Sequence, residues 1–326
     1  MTTHFADRLL EAIRAKNAPV CVGYDPVLKS LPAVIRKQFA IEPANEARFG
    51  AAERESAAKA ILAHGRGVIE AVAALAPAIK INIAFFEPLG PEGIRVYHQL
   101  VADGRAAGLV VIGDIKRADI GHSTAQYAMA HLGCGDPSDC DGLAKPDAVT
   151  VNPYLGFDGV QPFVEVAKAC GRGLFVLVQT SNESAAAIQG LRLFDDATKA
   201  GGVTVAERVG ELVQSWASAP ELLGESGYSA IGAVVAPRDR EGAKRIRALM
   251  PNCIFLVPGF GAQGLSAKDV ALCFKPDGTG AIVNASRSVI FAHEDPKYKE
   301  CCADDWRICV TQACEAFVAS IRSAVQ

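Results

Sequence analysis

Short apolar runs recur along the chain between longer stretches whose apolar positions return with helical spacing. Eight such runs stand out: Val20–Tyr24, Ala78–Asn82, Leu109–Gly113, Ala148–Val151, Leu174–Val178, Ala230–Val235, Ile254–Val257 and Ala281–Asn284. Each is apolar nearly throughout rather than alternating, as expected for parallel strands covered by helices. The segments Ala57–Ala76, Pro91–Ala107, Gly159–Ala169, Val203–Ala217 and Arg238–Met250 combine helical spacing with polar faces. Eight strands alternating with helices predict a closed (β/α)8 TIM barrel, whereas a doubly wound open sheet usually needs fewer. Two connections are long: residues 26–56, charged and proline-containing, and residues 180–202, a lid-length loop after the fifth strand. Neither has the composition of a linker, so residues 1–326 are expected to form one domain.

Composition narrows the class. Half the residues are hydrophobic and 21% are charged, enough to bury a sizeable core. No apolar run is expected to reach the roughly 18–20 residues of a membrane span. The N-terminus lacks the basic-then-apolar order of a signal peptide, so a soluble cytoplasmic protein is expected. The net charge is −3 and the basic residues are scattered, which points away from nucleic acid. A small anionic substrate would have to be held locally.

The ten cysteines change little. Cys21 and Cys253 lie in apolar runs and read as small hydrophobes. Cys134 and Cys140 flank a polar loop, while Cys301, Cys302, Cys309 and Cys314 belong to the last helical region. None has the spacing of a structural zinc site. Reduced structural thiols are expected, with disulfides the weaker reading.

In such barrels the working residues sit at the C-terminal ends of strands. Strand one ends in Asp25. Strand two holds Lys80 and Asn82, and strand three leads into Asp114, Lys116 and Asp119. Strand five ends in the stretch Gln179 to Asn182, strand seven in Pro258 to Gln263, and strand eight in Asn284 to Arg287. Alternation places Lys80 and Asn82 on one face of their strand, and Asp114 and Lys116 likewise on one face of theirs. Lys80 interrupts an otherwise apolar strand, and an ionised group there is costly unless paired. Asp114 on the neighbouring strand is the expected partner. A purely structural ion-pair network is the alternative, but four charges crowded into two strand ends favour function. The glycine-rich turn after strand seven and the Ser286-Arg287 segment after strand eight occupy the usual phosphate position, where Arg287 would add a charge-assisted contact.

Other candidates read as structural. His122 is expected in a loop near the site, and His4, His64, His98, His131 and His293 have no metal-ligand spacing. Tyr154 and Phe157 are expected to pack in loops. No Ser–His–Asp order, Walker A loop or dinucleotide fingerprint is present, which removes support for kinase or hydride chemistry.

Asp114-Ile-Lys116-Arg-Ala-Asp119-Ile120 resembles the Asp-x-Lys-x-x-Asp-Ile signature of orotidine 5′-monophosphate decarboxylases. Tyr24-Asp25-Pro26, Lys80-Ile-Asn82, the Thr150–Gly156 stretch, Thr180-Ser-Asn182, the Pro258–Gln263 turn and Asn284-Ala-Ser-Arg-Ser288 follow in family order. The Thr-Ser-Asn and Asn-Ala-Ser-Arg-Ser forms are similar to the second, bacterial subgroup. The resemblance implies cofactor- and metal-free decarboxylation of orotidine 5′-monophosphate to uridine 5′-monophosphate, the last step of de novo UMP synthesis. It implies a tetrad of Lys80, Asp114, Lys116 and Asp119, with Asp119 and Ile120 reaching into the partner's site of a homodimer. Asp25 and Lys80 would contact the ribose, Ser181 the pyrimidine and Arg287 the phosphate, while Gln263 would bridge base and phosphate; Asn82 and Pro258 would also line the substrate. The family usually has threonine four residues after the second aspartate, where this chain has Ser123 and then Thr124. Which hydroxyl crosses the interface stays open. Two alternatives remain: a magnesium-dependent sugar-phosphate barrel, for which Glu87 lies too far past strand two, and a nucleotide-binding barrel without activity.

Overall fold

The computed structural model describes residues 4–41, 50–134, 143–195, 200–261, 264–299 and 305–325. Ten strands occur among them: β1 (Val20–Tyr24), β2 (Ala78–Asn82), β3 (Val110–Arg117), β4 (Ala148–Val151), β5 (Gly173–Gln179), β6 (Arg192–Asp195), β7 (Ala200–Thr204), β8 (Ile231–Val235), β9 (Phe255–Val257) and β10 (Ala281–Ala285). Eight form a closed parallel barrel in the order β1-β2-β3-β4-β5-β8-β9-β10, with β10 pairing back onto β1. These are the eight apolar runs anticipated from the sequence. β3 extends to Arg117, so that the Asp114–Lys116 stretch belongs to the strand itself.

The helices are α1 (Phe5–Lys16), α2 (Ala33–Gln38), α3 (Ala51–Val72), α4 (Gly90–Ala106), α5 (Gly121–Leu132), α6 (Gln161–Ala169), α7 (Ala186–Gln189), α8 (Val205–Ala217), α9 (Arg240–Leu249), α10 (Ala267–Val270), α11 (Arg287–Ile290), α12 (Pro296–Lys299) and α13 (Trp306–Val325). Local chemistry fixes several starts. Thr204 and Glu207 form a reciprocal capping box at α8, Ser266 and Asp269 another at α10, and the Asp239 side chain caps α9.

Two apolar layers result. The outer one lies between barrel and helices. The inner one fills the lower barrel, where Phe5, Leu9 and Leu10 of α1 pack against Cys21, Ile112, Phe175, Leu256 and Ile282. Gly173 is required there, because a Cβ at that position would lie 2.0 Å from the Phe5 ring. Higher up, the inward positions turn polar: Lys80, Asp114, Thr150 and Asn284 are all buried.

Four expectations need correction. The 180–202 connection is not a bare loop but contains α7 and the antiparallel pair β6–β7. Its larger described apolar residues, Ile188, Leu191, Leu193 and Phe194, are exposed, so no core pattern marked it. Residues 26–56 include α2 and the start of α3. Cys134 and Cys170 form a disulfide, with Cα atoms 5.6 Å apart, and Cys309 is also disulfide-bonded. The chain thus departs from the expected all-thiol state because the ends of α5 and α6 bring together two cysteines 36 positions apart. Finally, α13 is long and apolar enough to cross a membrane by composition, yet Cys309, Val310, Ala313, Cys314, Phe317, Val318 and Ile321 form a buried face. Its Phe317 ring stacks on Phe260, and its Trp306 lies against His64 of α3.

Candidate active site

The polar upper barrel opens into a cleft of about 220 Å³. Leu177, Val234 and Leu256 form its apolar floor. These floor residues also pack with the inner layer. The charged groups stand above them.

Lys80 and Asp114 project from adjacent strands, and the β2–β3 register brings them together. Lys80 Nζ donates to Asp114 Oδ2 at 2.7 Å and lies 3.9 Å from Asp25 Oδ1. Lys116 Nζ donates to the other oxygen, Asp114 Oδ1, at 2.5 Å. A single buried carboxylate is therefore held between two ammonium groups. Burial pushes the Asp114 carboxyl up, but Lys80 and then Lys116 outweigh it and hold the group well below the usual carboxylate range. Burial likewise pushes the Lys80 ammonium down, and Asp114 and Asp25 more than reverse this, leaving it above the ordinary lysine value. Both residues are charged at neutral pH. The Lys116 side chain, about half exposed, is the cation a bound molecule can reach.

Thr150 of β4 lines the same cleft and donates from Oγ1 to Asp114 Oδ1 at 2.8 Å. Sequence reasoning gave it no role, because a threonine in a strand reads as an ordinary β-former. Asn82 also lines the cleft, where its side chain accepts from Ala84 N–H and shapes the turn after β2.

On one side stands the segment after β5. Ser181 lines the cleft, and its neighbours are firmly held. Gln189 accepts from Thr180 N–H at 2.9 Å and donates to Thr180 Oγ1 at 2.8 Å, while Arg238 donates to the carbonyl oxygen of Asn182 at 2.6 Å. Further round the barrel stand Pro258, Gly259 and Phe260 after β9, with Asn284 of β10 and Ser286 and Arg287 after it. Gly259, Gly261 and Gly264 adopt φ values of 93°, 73° and 82°, a region in which other residues are strained. Arg287 is exposed at the cleft edge.

Asp25, Lys80, Asn82, Asp114, Lys116, Ser181, Pro258 and Arg287 are thus brought together as anticipated. Asp119, Ile120, Ser123 and Thr124 are not among the lining residues. Asp119 Oδ1 accepts from the Ile120 N–H, and the Ile120 side chain is exposed. Ser123 is exposed on α5, whereas Thr124 is completely buried and its hydroxyl has no partner among the described residues. Gln263 lies outside the described residues. His122 is exposed, as is Tyr154, while Phe157 packs on Trp216. Glu87 pairs with Arg117.

Residues 52–299 match the model of the orotidine 5′-phosphate decarboxylase / HUMPS family. The chain is 40% identical over 294 residues to an orotidine 5′-phosphate decarboxylase of Rhodopirellula baltica, covering 90% of each chain. It is 36% identical to that of Caldicellulosiruptor saccharolyticus, covering 90% of this chain and 91% of the other. Among solved structures, OMP decarboxylase of Leishmania donovani superimposes with a TM-score of 0.67 at 28% identity, covering 99% of this chain and all of that one. The chain belongs to the orotidine 5′-phosphate decarboxylase / HUMPS family.

Proposed function

We propose that the cleft decarboxylates orotidine 5′-monophosphate to uridine 5′-monophosphate, without cofactor or metal, by means of the Lys80–Asp114–Lys116 cluster. The observation that carries this reading is the placement of Asp114, ionised and clamped between two lysines, at the mouth of the barrel.

The chemistry sets the demand. Cleaving the bond from C6 to the carboxylate leaves its electron pair on C6 as a vinylic carbanion, which the ring delocalises poorly. The site must stabilise that charge and deliver a proton. Lys116 Nζ is a compact cation that does both: its field stabilises the developing charge, and its proton is transferred to C6 as carbon dioxide departs. Asp114 beside the substrate carboxylate brings two like charges together, a repulsion that loss of carbon dioxide relieves. Lys80, fixed by Asp114 and close to Asp25, sits where ribose hydroxyls would be received. Arg287 and the backbone of the glycine turn form the phosphate end, and binding there supplies energy for ordering the charged cluster.

The active unit of this reading is a homodimer. Asp119 and Ile120 stand outside their own chain's cleft, so they are assigned to the partner's. Ser123, exposed where Thr124 is buried, is assigned the hydroxyl that crosses the interface.

A magnesium-dependent reaction would need carboxylates free to converge on the ion. Both oxygens of Asp114 are occupied by lysines, and Glu87 is engaged with Arg117. The deciding measurement follows the ultraviolet loss of orotidine monophosphate with and without chelator. Equal rates in both support the proposal. Activity abolished by chelator and restored by magnesium overturns it, and nucleotide binding without turnover indicates a binding barrel. The cytoplasmic location proposed with this function stands against the Cys134–Cys170 bridge, since disulfides are rare in reducing compartments. Rapid alkylation of thiols in intact cells supports it if these cysteines are found reduced there and overturns it if they are bonded.

A further inference from the structure

The ladder beside Asp114 is irregular. β3 and β4 place Gly113 opposite Val149 and Arg117 opposite Val151, so Asp114, Ile115 and Lys116 together face one residue, Thr150. Extra residues of this kind bulge and take backbone groups off the ladder. Lys116 absorbs the bulge with a φ of 46°, a left-handed conformation uncommon for residues with a Cβ. The displaced N–H groups need an acceptor in this buried place. Thr150 Oγ1 accepts from Ile115 N–H at 3.0 Å and from Lys116 N–H at 3.1 Å, and gives its own proton to Asp114 Oδ1. That same Oδ1 receives the Lys116 ammonium. One fully buried hydroxyl therefore touches the carboxylate and the backbone of the residue whose cation faces it.

We propose that Thr150 is the positioning residue of the cluster: its hydroxyl holds the bulge that sets Lys116 against Asp114. This rests on the decarboxylase reading above. The task requires acceptance from two backbone donors and donation to one carboxylate, which a hydroxyl performs and a methyl group does not. Serine keeps the hydroxyl; valine keeps the shape without it. Ground-state binding through the ribose and phosphate ends lies elsewhere in the cleft, so the cost of losing the hydroxyl falls on turnover.

The experiment compares wild type, T150V and T150S in kcat and KM for orotidine monophosphate and in calorimetric affinity for uridine monophosphate, with thermal melts to verify folding. T150V is expected to lower kcat on the order of 10- to 100-fold. Its KM and product affinity should stay within about threefold of wild type, and T150S should recover kcat to within about threefold. Turnover of T150V within about twofold of wild type overturns the proposal. So does a T150S as impaired as T150V, or product affinity that falls in step with kcat. Should T150V not fold, T150C, similar in size but a weak hydrogen-bonder, takes its place with the same expectations. A wild-type protein inert toward orotidine monophosphate overturns the underlying reading instead, before any variant is compared.

Discussion

Lys80 Nζ and Asp114 Oδ2 meet at 2.7 Å with both side chains less than a tenth exposed. Removing one partner of such a pair leaves a buried charge uncompensated. Lys80→Ala should therefore cost about 3–5 kcal/mol of stability as well as activity, measured by urea denaturation. A loss below about 1 kcal/mol would show that the pair behaves like a surface contact. Asp114 is depressed, so its contribution exists above the usual carboxylate range and disappears as pH falls through its folded value. Lys80 is raised, so its contribution exists below the ordinary lysine range and disappears as pH rises through its folded value. The pair therefore stabilises the fold across the window from about pH 4 to about pH 10.

Lys116 makes a different prediction. Its side chain is half exposed, so Lys116→Ala should fold normally while losing about 2–3 kcal/mol or more of transition-state stabilisation, at least a 30- to 100-fold fall in kcat/KM. Near-normal turnover would end its assignment as proton donor.

If Asp119 serves the neighbouring cleft, two inactive variants should rescue each other. Lys80→Ala mixed with Asp119→Asn, after subunit exchange, should regain roughly a quarter of wild-type activity, since half of the dimers would carry one intact site. Mixtures no more active than either parent would place Asp119 outside the partner's site.

Acid should weaken the fold well before the catalytic pair titrates. His64 is held neutral by burial, which outweighs its hydrogen bond to the Ile290 carbonyl; with His293 nearby, its pKa falls to about 3. Burial, then Arg117, His98 and Lys145, bring His131 to about 3 as well. The unfolded chain takes up protons from about pH 6.5 downward and the native chain does not. Stability should then fall by up to about 1.4 kcal/mol per pH unit for each histidine between pH 6.5 and pH 3. Denaturation series at pH 7, 6 and 5 for wild type and His64→Gln check this, the variant having the shallower slope. A flat wild-type profile would contradict it.

The Cys134–Cys170 bridge joins the C-terminal ends of α5 and α6, at the end of the barrel remote from the cleft. Cys170→Ser should lower stability by about 3 kcal/mol while leaving kcat intact. Loss of activity in a folded variant would mean that the bridge reaches the site.

The barrel was legible because parallel strands, covered on both sides, leave uninterrupted apolar runs such as Leu174–Val178. Lys80 was legible for the converse reason, as a charge where the pattern forbids one. What escaped depends on relations the linear pattern does not carry. The described apolar side chains of β6 and β7, Leu193, Phe194 and Val203, are exposed; the disulfide joins cysteines with no shared motif; and Thr150 acquires its role from a bulge in another strand. Ser123 and Thr124 were equivalent in sequence, and only the start of α5 at Gly121 turns one outward and the other inward.

The stopper that Phe5, Leu9 and Leu10 place in the lower barrel makes the cleft a well with a single mouth. Apolar side chains, rather than polar groups, lie beneath the charged cluster, so little in the lower barrel screens its field. Nucleotide and carbon dioxide must leave by the opening through which the substrate came. Both therefore pass the rim, between the segments that bear Ser181 and Arg287.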